Sequence, residues 1–284
     1  MRNTLLRYGL KLIGVLLFIL ILTQIDRAQM LQVLANISIA HLAVMFLLFP
    51  VTYAIKSYRW HILTRHAGKE VHFVESFLVY CSGLFFGIVT PGRIGELIKV
   101  PALTTRGVPT QSAVILTIFE RIIDAMFMGV IGIAAIGILW SWALAGAIAA
   151  CGAMILCIGI ALKNPLLRFI PTVQSTLAQW PTLLSLTFIA WVIYFLQLII
   201  LQRGFGFSVP ILPFISIMTI AGIVAMMPIA PAGLGTRDAV VALLFSSFAV
   251  PTETSIAFTA TIFFLTIVAS SIGLVAWMYS PKHV

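Results

Sequence analysis

The stretch VTPGRIGELIKV, residues 89–100, sets a proline, two glycines, an arginine and a glutamate into six consecutive positions between two apolar runs. Around it the 284-residue chain is 61% hydrophobic and only 9% charged, with a mean hydropathy of +1.13. No soluble domain hides that much apolar surface, so lipid is the expected solvent, and residues 1–284 the expected single transmembrane domain. A bilayer core of ~30 Å takes about 20 apolar residues per spanning helix, which leaves little sequence outside it. Pro91, Gly92, Arg93, Gly95 and Glu96 therefore end one helix and begin another at membrane depth. Proline suits the first turn of a helix, where its missing N–H is not needed. Glycine turns the backbone and leaves N–H groups uncovered. The expected product is a helix N-terminus inside the bilayer, with free N–H groups and partial positive charge.

The runs on either side read as an all-α, polytopic integral membrane protein. Residues 5–25 form a first span, 27–38 a short amphipathic connector, and 40–60 a return ending in YRWHIL, an aromatic and basic interfacial anchor. Residues 73–89 and 93–104 are the arms of a first broken hairpin. Residues 111–140 cross and end at WSW, 143–162 return, and 182–202 cross again. Residues 211–229 and 234–249 are the arms of a second hairpin, broken at PIAPAGLGTRD, and 254–279 come back. The count is about six full spans plus two broken, re-entrant hairpins. The basic N-terminus and its LIGVLLFILIL run lack a small-residue cleavage site, so they read as a retained helix rather than a signal peptide.

The net charge of +9 has a cause other than nucleic acid. Twelve of the seventeen basic residues fit on one side of this topology: Arg2, Arg7, Lys11, Lys56, Arg59, Arg65, Lys69, Lys99, Arg106, Lys163, Arg168 and Lys282. The positive-inside rule makes that side cytoplasmic, together with both termini. Arg27 and Arg203 fall on the other side; Arg93, Arg121 and Arg237 are left over. The three cysteines, Cys81, Cys151 and Cys157, lie in apolar runs with no disulfide or zinc spacing, and the five histidines form no metal-type pair. No metal and no cofactor is expected.

The break at Pro91 has a counterpart. Pro91-Gly-Arg-Ile-Gly95 and Pro231-Ala-Gly-Leu-Gly235 both read P-x-x-x-G, and the prolines stand 231 − 91 = 140 positions apart, close to half the chain. Each has an arginine (Arg93, Arg237) and a carboxylate (Glu96, Asp238) close by. In the topology above the two hairpins enter from opposite sides, which is the pattern of an inverted repeat with halves of roughly 1–140 and 141–284. Discontinuous helices in such repeats meet near the midplane, so Pro91, Gly92, Arg93, Gly95, Glu96, Pro231, Gly233, Gly235, Arg237 and Asp238 are the candidate substrate contacts, and an anion, best a phosphate, the candidate ligand. The plainer alternative is a pair of Pro-Gly kinks with self-neutralised charges. Two copies at half-chain spacing argue against it, because each intramembrane charge costs at least ~2.5 kcal/mol.

A third polar cluster is FERIID. Glu120 and Asp124 share a helix face, and Arg121 reaches Asp124 three residues on. Arg121 reads as a structural partner and Glu120 as the candidate for proton coupling, with a bracing ion network as the alternative for all three.

On TPGRIGELIKV, ERIID and PIAPAGLGTRDAV the chain resembles the membrane region of lysylphosphatidylglycerol synthases, the flippase part of multiple peptide resistance factors, and its stand-alone bacterial and archaeal relatives. These stretches match the family's Pro-Gly-x-x-Gly-Glu, Glu-Arg-x-x-Asp and Pro-x-Gly-x-Gly-x-x-Glu patterns. Two positions depart from them: Asp238 stands at the last acidic position, and Arg93 where a glycine or small residue is usual. The resemblance implies transbilayer movement of a lipid in the cytoplasmic membrane of a bacterium or archaeon. No synthase domain follows Val284, so lipid aminoacylation is not expected of the chain. The expected partners are a membrane lipid as substrate and, among proteins, a second copy of the chain or a separate lipid-modifying enzyme. The runner-up is an anion channel or proton-coupled ion antiporter, since GRIGE nearly matches the Gly-Arg-Glu-Gly-Pro turn of chloride channels. An intramembrane enzyme needs a nucleophilic His or a metal-binding Asp cluster. The polar breaks contain neither.

Overall fold

The computed structural model describes residues 27–65, 72–90, 92–161, 179–227, 230 and 232–279. The expected first span at 5–25, the prolines Pro91 and Pro231, and the basic residues Arg2, Arg7, Lys11, Lys69, Lys163, Arg168 and Lys282 lie outside the described residues. Every described regular element is helical. They are α1 (Arg27–Ala35), α2 (Ile39–Thr64), α3 (Phe73–Val89), a 3₁₀ turn at Ile94–Ile98, α4 (Lys99–Thr104), α5 (Thr110–Leu139), α6 (Trp142–Ala161), α7 (Trp180–Gly204), α8 (Ile211–Ala225), α9 (Thr236–Ser246) and α10 (Thr252–Tyr279). Three prolines stand at helix starts, where their fixed φ is accommodated. Pro109 and Pro210 stand directly before α5 and α8, and Pro181 occupies the first turn of α7.

Among the described residues four helices are long and apolar enough to cross a bilayer: Ile39–Thr64, Thr110–Leu139, Trp180–Gly204 and Thr252–Met278. Phe73–Val89, Trp142–Met154 and Ile211–Ala225 are shorter apolar stretches. Large apolar side chains such as Val130, Leu243 and Phe264 stand out from the surface at 71%, 71% and 65% exposure. Spread over whole helices, such side chains suit lipid and not water. The chain is a multi-pass membrane protein.

The order of elements recurs. A long helix, a short one, a break, a shorter stretch and a second long helix follow one another in α2–α5 and again in α7–α10, at about the offset of the two prolines. The packing recurs with it. The equivalent helices α2 and α7 run antiparallel: Ser38 N–H donates to the Gly204 carbonyl at 3.1 Å, Gln197 Nε2 to the Met45 carbonyl at 3.3 Å, and Arg59 Nη1 to Thr187 Oγ1 at 2.8 Å. On one flank α3 packs on α10, where Ser82 Oγ donates to the Gly273 carbonyl at 3.1 Å and a side chain at Gly273 would collide with the Cys81 carbonyl. On the other, α8 packs on α5 at Gly222 and Gly132, which Met128 and Ile223 cover. Small residues let backbones approach closely where lipid supplies no hydrophobic drive between helices.

Residues 93–104, read from sequence as one short helix, form the 3₁₀ turn and then α4. The cause is local. Arg93 takes a left-handed backbone, and its carbonyl accepts the Glu96 N–H at 3.0 Å, a tight i to i+3 bond. The connector α1 lies on α10, with Leu31 exposed at 63% and Met30, Val33 and Leu34 half-buried.

Candidate functional site

Both breaks have the same backbone shape. Gly92 and Arg93 have φ of 62° and 56°, and Ala232 and Gly233 have φ of 47° and 72°. Two consecutive left-handed residues follow the proline position in each half, with glycine first in one and second in the other. The glycine N–H groups at Gly95, Gly233 and Gly235 are paired within the turns. Gly95 N–H donates to Thr90 Oγ1 at 2.8 Å, Gly233 N–H to the Ala230 carbonyl at 3.2 Å, and Gly235 N–H to Asp238 Oδ2 at 2.9 Å. Buried donors are rarely left unpaired, and each turn supplies its own acceptor.

The first break is locked into an ion network. Glu96, 3% exposed, turns inward to Lys99 at 3.2 Å, Arg121 at 3.1 Å and Arg93 at 3.4 Å. Lys99 Nζ also meets Glu120 at 2.7 Å and lies over the rings of Trp60 at 4.8 Å and Tyr80 at 5.0 Å. Arg59 reaches both oxygens of Asp124, at 2.7 and 3.1 Å, together with Glu120 at 3.2 Å and Thr187. Arg121 completes it, 3.1 Å from Glu120 and 3.2 Å from Asp124. Its contact with Glu96 has the distance of an ion pair without the geometry of a hydrogen bond. Four elements are tied here (α2, the Ile94–Thr104 stretch, α5 and α7), with Glu120, Arg121 and Asp124 joined into the network by charge-assisted contacts.

Lys56, Arg59 and Lys99, which the charge count places with the basic residues of one side, turn inward into ion pairs. Arg59 and Lys99 are each 1% exposed, and Lys56 stands 3.9 Å from Asp124. A cation flanked by apolar sequence looks interfacial until its carboxylate, dozens of residues away, is brought beside it. The packing that admits them was also missed. Gly83 and Gly87, one turn apart on α3, leave room for the stems of Lys99 and Glu96, and any Cβ there would overlap them. The G-x-x-x-G spacing in GLFFG was the available signal.

The second break is simpler. Asp238 caps α9 by accepting the Gly235 N–H, while its other oxygen takes Arg237 Nε at 3.0 Å and Nη2 at 2.8 Å. Arg237 Nη2 also donates to the Thr259 carbonyl at 2.9 Å. Farther along this half phenylalanines pack on one another: Phe207, Phe214, Phe245 and Phe258 stack and abut at 5.4–6.1 Å.

Between the breaks lies a cavity of ≈ 180 Å³ with walls from both halves. Lys56, Arg93 and Arg237 line it, and among its described lining residues none is acidic. Glu96 and Asp238, candidate ligand contacts with the arginines, pair with Arg93 and Arg237 and are not among its described lining residues. Gly92, Gly95, Gly233 and Gly235 shape the turns without lining it. Cys81 is buried and Cys151 exposed, both as free thiols. Among the described residues no cluster of His, Cys, Asp or Glu could hold a metal ion.

No curated protein matches the chain. A family model described as the lysylphosphatidylglycerol synthase TM region matches residues 8–273, nearly its full length. The chain belongs to that family, a membrane domain linked to lipid handling.

Proposed function

We propose that the chain is a lipid translocase that moves an anionic, phosphate-containing lipid across the cytoplasmic membrane of a bacterium or archaeon, with both termini cytoplasmic. The observation that carries this reading is the convergence of Lys56, Arg93 and Arg237, from both halves, on one acid-free cavity. An aminoacylated, positively charged headgroup would meet three cations there and no free carboxylate. A phosphate meets complementary charge. The antiparallel α2 and α7, equivalent in the recurring order, support an inverted repeat in which each half lends one break to the site. The backbone of Arg93 supports a role for its side chain. A left-handed conformation that glycine takes freely costs another residue about 1–2 kcal/mol, which contacts made by the side chain have to offset. In this reading the chain breaks no covalent bond and needs no cofactor.

Transport of a fluorescent anionic lipid in proteoliposomes tests it. Arg93→Ala and Arg237→Ala should each lower the rate by roughly tenfold or more, since each removes a charge-assisted contact. Arg→Lys should recover only part, because the bidentate fork is lost. Wild-type rates in both alanine variants would end the proposal. Chloride conductance in the same vesicles, without lipid movement, would favour the channel reading instead.

A further inference from the structure

Resting on the translocase reading, we infer that the cavity selects a headgroup with two negative charges, the terminal phosphomonoester or diphosphate of a lipid, over a singly charged phosphodiester. The count of charges points this way. Lys56, Arg59, Arg93, Lys99 and Arg121 are joined in one network with Glu96, Glu120 and Asp124, five cations against three carboxylates. Arg237 is balanced by Asp238. Two positive charges are left over in an apolar surround. The members of the network that face the cavity, Lys56 and Arg93, are cations with loose internal pairing, at 3.9 and 3.4 Å. A diester would leave one of these charges uncompensated at membrane depth, whereas a dianion neutralises both.

The neutral groups on the wall agree. Thr52, Thr266 and Gln197 are already bonded to helix carbonyls. Tyr53 Oη and Trp191 Nε1 have no partner among the described residues, although the two side chains are only 7% and 9% exposed and both line the cavity. Buried polar atoms without partners are uncommon in folded proteins, and each one calls for an explanation. Both can donate, and Lys56 Nζ stands 5.0 Å from the Trp191 ring, so charge and donors meet on one wall. A terminal phosphate, with three unesterified oxygens, uses more of these donors than a diester with two.

The test is a binding comparison on the purified full chain in detergent at about pH 7.5, where a phosphomonoester has already lost its second proton, its pKa being about 6. Phosphatidic acid and phosphatidylglycerol with identical acyl chains are titrated against tryptophan fluorescence and thermal unfolding, with inorganic phosphate and diphosphate as soluble competitors. Phosphatidic acid should bind roughly tenfold or more tightly, the ratio that one charge-assisted contact gives. Lys56→Gln should bring the two lipids near parity. Tyr53→Phe, which leaves the charge count alone, should weaken both lipids and keep a preference for the monoester. Equal binding of the two lipids by the wild-type chain overturns the selectivity and leaves the translocase reading standing. Binding of neither lipid removes both. Inorganic phosphate that binds as tightly as phosphatidic acid makes the ligand a free phosphate and overturns the lipid source. If Lys56→Gln does not fold, the wild-type ratio and Tyr53→Phe still decide.

Discussion

The two breaks have the same shape and opposite chemistry. After Gly92 and Arg93 the chain returns into three carboxylates and five cations, while after Ala232 and Gly233 it returns to one Arg–Asp pair, and phenylalanine rings pack farther along the same half. The second break demonstrates that the left-handed turn and the short helix after it need no ion network. Buried ion pairs seldom stabilise a fold more than well-packed apolar groups of similar size. The network in the first half is therefore better explained by the charge it delivers to the cavity than by stability. Lys56 and Arg93 face the cavity because the carboxylates behind them are already shared.

The largest effect that would break this comparison is on stability. Asp124 is held by Arg59, Lys56 and Arg121, so Asp124→Asn leaves buried cations without their partner and should cost about 3–5 kcal/mol. Asp238→Asn keeps an oxygen for the Gly235 N–H and loses mainly its charge toward Arg237, which still has the Thr259 carbonyl; about 1.5–3 kcal/mol is expected. Denaturant titration of both in one detergent decides. Equal losses would mean that the halves do not differ as described. A smaller step probes the apolar side. Phe258 abuts Phe205, Phe207, Phe214 and Phe245, and Phe258→Leu should cost about 1–2 kcal/mol through a partly collapsed cavity, with lipid transport kept. A transport loss larger than the stability loss would place the rings in the transport cycle.

Much of the fold is written in local signals. Phe73–Val89 falls on the expected run residue for residue, and the breaks stand where Pro and Gly interrupt hydrophobic runs. What local signals could not reveal is which charges are buried. Arg59 lies within YRWHIL, Lys56 just before it, and Lys99 follows a short apolar run, positions that suit an interface as well as a core. Only the approach of Glu120 and Asp124, more than 60 residues along the chain from Arg59, separates the two. The fate of the N–H groups was equally out of sight, because whether Thr90 or a ligand accepts from Gly95 depends on one side-chain rotamer.

The finest comparison is between the two non-glycine residues in left-handed turns. Arg93 and Ala232 occupy φ of 56° and 47°, and each holds a position where glycine would relieve strain. Glycine also adds freedom to the unfolded chain, which takes back part of the gain. Ala232→Gly should therefore stabilise the fold by a few tenths to ~1 kcal/mol and leave transport unchanged. Arg93→Gly gains the same backbone relief and loses a pair to Glu96 at 3.4 Å from a side chain 38% exposed, a contact worth only about 0.2–1 kcal/mol. Its stability should thus stay within about 1 kcal/mol of the parent while transport collapses. Unfolding and transport measured on the same two preparations separate the outcomes. If Arg93→Gly unfolds early, the arginine is a structural brace like Arg59. If it is stable and still transports, the cavity works without Arg93, and the strained arginine has no explanation in the headgroup.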